Sequence, residues 1–287
     1  MMDEEIAFTE ELFRAESGNP DAQYSIALRY AEGKGCETNR EQALYWLTEA
    51  AENGHVEAQF HLGLYYGNGP ESKHDDIKAA HWFREAAEQG DRDAQYNIGI
   101  YYTHGRGVPQ DDERAVYWFT KAAEQDDPAA QRILGLCYTE GIGVPKDEQC
   151  AFEWFDRAAR LGDPEAQYRL GVCYATGKGT TPDRVQALFR FTRAAQEGVV
   201  ESQYRLGLYY ADECRETPEN RQQAIYWLTQ AAERGNRRAA ERLAEYHTLD
   251  TGIGSDRQKT ENRPARPQTS EGEKKTDSDG KENSSKS

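Results

Sequence analysis

Apolar residues in this chain fall at two helical spacings that alternate along its length. In one stretch Leu62, Gly63 and Tyr66 follow Ala58 at offsets of four, five and eight. Those offsets share one face of a helix. In the next type of stretch Ala115, Trp118, Phe119, Ala122 and Ala123 form a second stripe of the same period. Between the stripes the chain turns polar and glycine-rich. Gly33, Gly69, Gly105, Gly141 and Gly177 each stand three residues after a Tyr. Gly there predicts a left-handed residue closing the first helix. Asn39, Asp75, Asp111, Asp147, Asp183 and Asn220 follow as predicted N-caps of the second helix.

The pattern repeats. An Ala-Gln pair recurs at Ala22, Ala58, Ala94, Ala130 and Ala166, then as Ser-Gln at Ser202, always 36 residues apart. A seventh start, Ala239, comes one residue late because the sixth loop is longer by one. Repeats are predicted to start near 18, 54, 90, 126, 162 and 198. Trp46, Trp82, Trp118, Trp154 and Trp227 share one position in five copies, and Arg190 replaces them in the fifth. A single helix pair cannot bury both of its stripes, so neighbours must stack. The expected fold is all-α: an α/α superhelical solenoid of about six helix-pair repeats with half-repeat caps.

Residues 1–17 read as an N-terminal capping helix, 18–247 as the repeat array, and 236–247 within it as a C-terminal half-repeat. From 248 to 287 aromatic residues are absent and aliphatic ones scarce, which predicts a disordered polar tail. The tail's charges nearly balance, so the array carries essentially all of the net charge of −16. Such a surface repels phosphates and anionic lipid heads; neither nucleic acid nor membrane insertion is expected. The acidic N-terminus carries no apolar signal region, and five cysteines form no CxxC. A cytoplasmic, reducing location is the expectation.

The stretch "AQYNIGIYYTHGRGVPQDDERAVYWFTKAAEQ" resembles the Sel1-like repeat, a relative of the tetratricopeptide repeat, and the likeness runs from about Gly18 to His247 in six copies. The resemblance implies a right-handed α/α superhelix that acts as an adaptor or scaffold for protein complexes, in proteins many of which are bacterial. The chain departs from the family's secreted, cysteine-rich branch, having no cysteine pair within each unit. The sixth copy also departs, with Glu213 and Arg215 where the two loop glycines belong.

Catalytic chemistry finds no residue-level support. The Gly-rich loops lack a preceding strand and the P-loop spacing, and read as helix ends. Six histidines form no metal-ligand spacing, and Asp75 beside His74 is explained as a cap. Cys137 and Cys173 occupy one helical position in adjacent copies, as small hydrophobes. No cofactor or metal is expected.

The inner surface is the candidate site. In peptide-binding helix-pair arrays the first helices line the concave face. One ladder there is Asp21, Glu57, Asp93, Glu165 and Glu201, broken by Ala129. A second is Tyr24, Phe60, Tyr96, Tyr168 and Tyr204, broken by Arg132. A third is Ser25, His61, Asn97, Ile133, Arg169 and Arg205, and it turns basic along the array. Aromatics beside acids suit a groove for a peptide with a basic segment; the aromatic ladder equally suits packing. The expectation is a monomeric, non-catalytic scaffold that binds a protein or peptide. The alternative is a cell-envelope role or hydrolase-like activity on a peptidoglycan-type ligand, which requires clustered ionisable residues in a closed pocket.

Overall fold

The computed structural model describes residues 2–69, 74–213 and 217–245. The predicted tail from 248 onward lies outside them, as do His247 and Cys214. Two units are distinguished, 1–240 and 241–287, and the fold below is that of the first.

The described residues are helical with no strand, and the array is the expected right-handed α/α solenoid. A lone helix, α1 (Met2–Glu16), precedes six pairs. The first helices of the pairs are α2 (Pro20–Glu32), α4 (Val56–Asn68), α6 (Arg92–His104), α8 (Pro128–Glu140), α10 (Pro164–Thr176) and α12 (Val200–Leu208). The second helices are α3 (Arg40–Glu52), α5 (Asp76–Glu88), α7 (Asp112–Glu124), α9 (Glu148–Arg160), α11 (Arg184–Gln196) and α13 (Pro218–Glu233). A further helix, α14, begins at 237 and is described to 245.

In four of the six pairs one aromatic ring packs against one glycine, and in the sixth Leu228 takes the place of the ring against Gly207. Phe83, Phe119, Phe155 and Phe191 are buried on second helices, opposite Gly63, Gly99, Gly135 and Gly171 on the first. A Cβ added at Gly99 would lie 2.7 Å from Phe119 Cε1. The first pair changes both sides: Ala27 replaces the glycine, and Leu47 packs there instead of a Phe. The neighbouring Trp46 and Trp118 are also buried, at 8% and 9% exposure.

Buried glutamines tie three successive helices. Gln59 Nε2 donates to the Ala51 carbonyl at 3.0 Å, and its Oε1 accepts from Gln89 Nε2 at 2.7 Å. Gln95 does the same with Ala87 and Gln125, and Gln23 with Ala15 and Asn53. At Gln131 the second bond is missing. Its Oε1 is buried without a partner, because Leu161 stands where Gln89 and Gln125 do. Gln167 takes its bond from Arg190 Nη1 at 3.3 Å instead, which gives the residue that replaces Trp in the fifth copy a polar seat.

The predicted caps are mostly as read. Asn39, Asp75, Asp111, Asp147 and Asp183 accept backbone N–H bonds at their helix starts. Gly33, Gly105, Gly141 and Gly177 are left-handed. Two expectations are corrected. Gly69 is extended, at φ −65° and ψ 165°. It precedes Pro70, whose ring drives the residue before it out of helical space. Asn220 is not a cap: Thr217 caps α13, with Pro218 at the first helical position, and accepts from the Asn220 N–H at 3.3 Å.

The sixth pair differs throughout its connection. With no glycine to close it, α12 passes into a π-helical turn, Tyr209–Glu213. A π turn admits one extra residue per turn of helix. Helix α13 starts early and runs for 16 residues, against 13 in α11.

Candidate functional site

Each first helix begins with its own cap, which sets the height of the ladders. Asn19, Asp91, Asp127 and Asp163 accept bonds from the N–H three residues on. His55 does so with Nδ1 in the second pair, at 3.2 Å from Ala58 N. Only the cap at Val199 lacks a side-chain bond among the described first helices.

The acidic ladder has two halves. Asp21, Glu57 and Asp93 are exposed, with side-chain exposures of 82%, 65% and 53%. Asp21 and Glu57 flank His55, whose ring nitrogens lie 3.7 and 3.5 Å from their carboxylates. Asp93 meets Arg92 at 3.1 Å. Glu165 and Glu201 are less exposed and face arginines of their own helices, Arg169 at 3.3 Å and Arg205 at 3.7 Å. The basic end of the third ladder is therefore partly neutralised by the acidic one. Asn97 donates to the Asp93 carbonyl at 2.7 Å, and His61 stands edge-on to Tyr24 at 5.8 Å.

The aromatic ladder is graded as well. Tyr24, Phe60, Tyr96 and Tyr204 are half-buried. Tyr24 stacks on His55 at 4.4 Å, and Phe60 and Tyr96 reach the buried rings of Phe83 and Phe119 at 5.9 and 6.0 Å. Burial raises the Tyr96 phenol above its ordinary value, against the lowering effect of Arg132. Tyr168 is buried in the core with Phe191, and Arg169 and Arg205 lie over its ring. Where Arg132 breaks the ladder, it pairs with Asp163 at 3.2 Å. The structure thus brings the predicted residues onto one row of helices, but gives Tyr168 to packing more than to the surface. His55 was not singled out by sequence reasoning. Its signal was its alignment with the cap residues Asp91, Asp127 and Asp163.

Cys137 and Cys173 are buried, and burial holds both thiols protonated, with pKa values pushed up to about 11. Among the described residues no group of three or more His, Cys, Asp or Glu is placed to hold a metal ion. No helix among them is long and apolar enough to cross a membrane.

The Sel1 repeat profile matches residues 20–55, 56–91, 92–127, 128–163, 164–199 and 200–236. The chain belongs to the Sel1 repeat family. The six matched segments each begin two residues after the repeat starts read from the sequence at 18, 54, 90, 126, 162 and 198. The fold is similar to that of a Sel1 repeat protein from Oxalobacter formigenes, with 36% identity and a TM-score of 0.66 over 81% of this chain and 67% of that one. It is also similar to c5321, a protective antigen of uropathogenic Escherichia coli with the same fold. There the identity is 31% and the TM-score 0.57, over 83% of this chain, which spans 58% of that protein. No curated protein matches the chain.

Proposed function

We propose that this protein is a non-catalytic, cytoplasmic, bacterial scaffold that binds a protein segment along the face made by its first helices, the concave face of such an array. Residues 1–17 would cap that array, and a monomer would present it. The observation that carries the reading is a repeated juxtaposition. Glu57 and Asp93 are exposed acids on successive first helices, each three residues from a half-buried ring, Phe60 and Tyr96. Membership of a family of stacked repeats supports it, because such arrays offer long surfaces rather than closed pockets.

The expected partner segment carries basic residues, to meet Asp21, Glu57 and Asp93, and an apolar anchor. Exposed ion pairs contribute about 0–1 kcal/mol each. The anchor then dominates affinity, and the acids govern on-rate and salt dependence. Its path continues past His61 and Asn97 toward Glu165, Tyr168, Arg169, Glu201, Tyr204 and Arg205. The test is a Glu57→Lys/Asp93→Lys variant, paired with Tyr96→Ala, against the partner recovered by affinity purification at two salt concentrations. Weaker binding with a flatter salt dependence in the charge variant, at an unchanged melt, supports the reading. Unaltered binding in both variants places the interface elsewhere.

A further inference from the structure

The lone helix α1 stands in the stack where a second helix would, and it shares an unusual outer face with one true second helix. On α1, Ile6 and Phe13 are both exposed and lie seven residues apart on one side. On α11, Val185 and Phe189 are both exposed and lie four apart. The other second helices, among the described residues, each expose one large apolar side chain at most. The same two helices are the extremes of charge. Helix α1 has six acidic residues against Arg14 alone. Helix α11 has Arg184, Arg190 and Arg193 and no acid, and it is the one second helix with a net positive charge.

Not every charge on these helices faces outward. Arg190 turns to Asp156 and Gln167, and Glu11 to Arg29 at 2.8 Å. Arg193 is exposed and lies 5.7 Å over the ring of Phe189. Arg157 has the same place on α9 and lies 4.6 Å over Trp154. Neither is ion-paired among the described residues. Adjacent second helices share a surface groove, as α5 and α7 do around Glu85 and Tyr117. The equivalent places on α9 and α11 hold Arg157 and Phe189. The acid nearest them in sequence on that face, Glu153, accepts from Gln149 Nε2 at 3.0 Å. On α1, Glu10 and Glu16 are exposed beside Ile6 and Phe13. Phe13 stands where later units place Glu49, Glu85, Lys121, Arg157 and Arg193, so its apolar side chain is out of keeping with the repeat.

We infer that α1 of one copy of this chain docks on the outer face of α9 and α11 of another copy. Ile6 and Phe13 pack on Val185 and Phe189, and Glu10 and Glu16 meet Arg193 and Arg157. A second copy is the occupant because one sequence supplies both faces, matched in apolar content and opposite in charge. Like faces would set acid against acid, or arginine against arginine. Second helices form the convex side of such an array, and two convex surfaces touch at one place. A pair of copies therefore cannot close both contacts, and copies join head to tail in an open chain. The contact lies on the opposite side from the first-helix face and stands whether or not a segment binds there. The dilute protein is the monomer of the reading above, and association grows with concentration. The net charge of −16 opposes it. The contact is expected near 0.15 M salt, where a screening length of about 8 Å damps the distant repulsion and spares the touching pairs.

The experiment is sedimentation velocity on the full-length protein, from micromolar to near-millimolar concentration. The average mass of the parent is expected to climb past that of two copies. Phe13→Arg spoils one face, and Phe189→Glu/Arg193→Glu the other. Each variant alone should associate at least about tenfold more weakly, since an apolar anchor gives way to a like charge. The fold accepts both changes, because Arg157, Glu153 and Glu85 occupy the same places in other units. Melting curves confirm this, and Phe189→Glu/Arg193→Glu decides the matter if Phe13→Arg melts early. Mixed in equal amounts, the two variants should form a one-to-one pair and nothing larger, because each keeps a single intact face. Glu57→Lys/Asp93→Lys should associate as the parent does, which separates this contact from the first-helix surface. A parent that stays monomeric or stops at a symmetric dimer overturns the inference. So do variants that associate like the parent, or a mixture that forms no pair.

Discussion

Gly99 and Phe119 are fitted to one another so closely that a single methyl group cannot be placed between them. The relationship recurs at Gly63 with Phe83, Gly135 with Phe155 and Gly171 with Phe191. Two helices approach because one has no side chain at the crossing and the other fills the gap with a ring. Gly99→Ala is expected to cost about 1–3 kcal/mol by overpacking, more than offsetting the improved helix propensity. Phe119→Leu in the same molecule should recover much of that loss, since Ala27 with Leu47 is a native version of that pair. A double-mutant cycle from urea melts measures the coupling. Additive effects would mean that the ring and the glycine do not meet.

The orphan oxygen of Gln131 offers a simple gain. Leu161→Gln supplies the amide present at Gln89 and Gln125, at a position where Leu161 is 47% exposed and little apolar burial is lost. One recovered buried hydrogen bond contributes about 0.5–1.5 kcal/mol. The expected outcome is a higher melting temperature. A lower one would show that the fourth unit has no room for the bridge.

These two relationships also show what the sequence could and could not reveal. The repeat length, the helix pairs and five second-helix caps follow from period and residue type. The ladders on the first helices could be aligned for the same reason. Whether Tyr168 is surface or core could not be read, because it depends on Arg169 and Arg205 folding over its ring. The Gln of the Ala-Gln pair marked the repeat without disclosing its use, since its partner lies 30 residues away, at the end of the next helix. Gly69 was misjudged although Pro70 stood beside it in the sequence.

Asp126 holds φ at 60°, at the position where Gly18, Gly54, Gly90, Gly162, Gly198 and Gly235 serve the other units. A left-handed residue with a Cβ costs about 1 kcal/mol. Glycine removes that strain but adds freedom to the unfolded chain. Asp126→Gly is therefore expected to stabilise by a few tenths to about 1 kcal/mol. Asp126→Val should destabilise, and parallel thermal melts of the two variants test the difference.

Asp91 caps α6 while half-buried. Burial, then the nearby charges of Asp93 and Glu57, raise its pKa above the ordinary 3.8, against the lowering bond from Ala94 N–H. A raised carboxylate pKa means that ionisation disfavours the folded state. That penalty is absent below the unfolded value and complete above the folded one. Asp91→Asn keeps the cap, as Asn19 does for α2. Its stability relative to the parent should rise as pH increases from below 3.8 toward neutrality, whereas Asp91→Ala loses about 1 kcal/mol of capping. Denaturant melts across that range check the sign, and a constant difference for Asp91→Asn would exclude the electrostatic cause.

The π turn at Tyr209–Glu213 bears on how such a chain changes length over evolution. In a stack whose copies are fitted one to the next, an added residue acts like a frameshift. Carried forward along a helix, it would turn every later contact by about 100°. Here the shift is confined. By Asn236 the frame is restored, since its side chain accepts from Ala239 N–H at 3.0 Å, just as Asp163 accepts from Ala166 N–H. The sixth unit is thus the joint at which this lineage could accept an insertion without rewriting its neighbours, and the place where a longer loop can be grafted with the rest of the array left in frame.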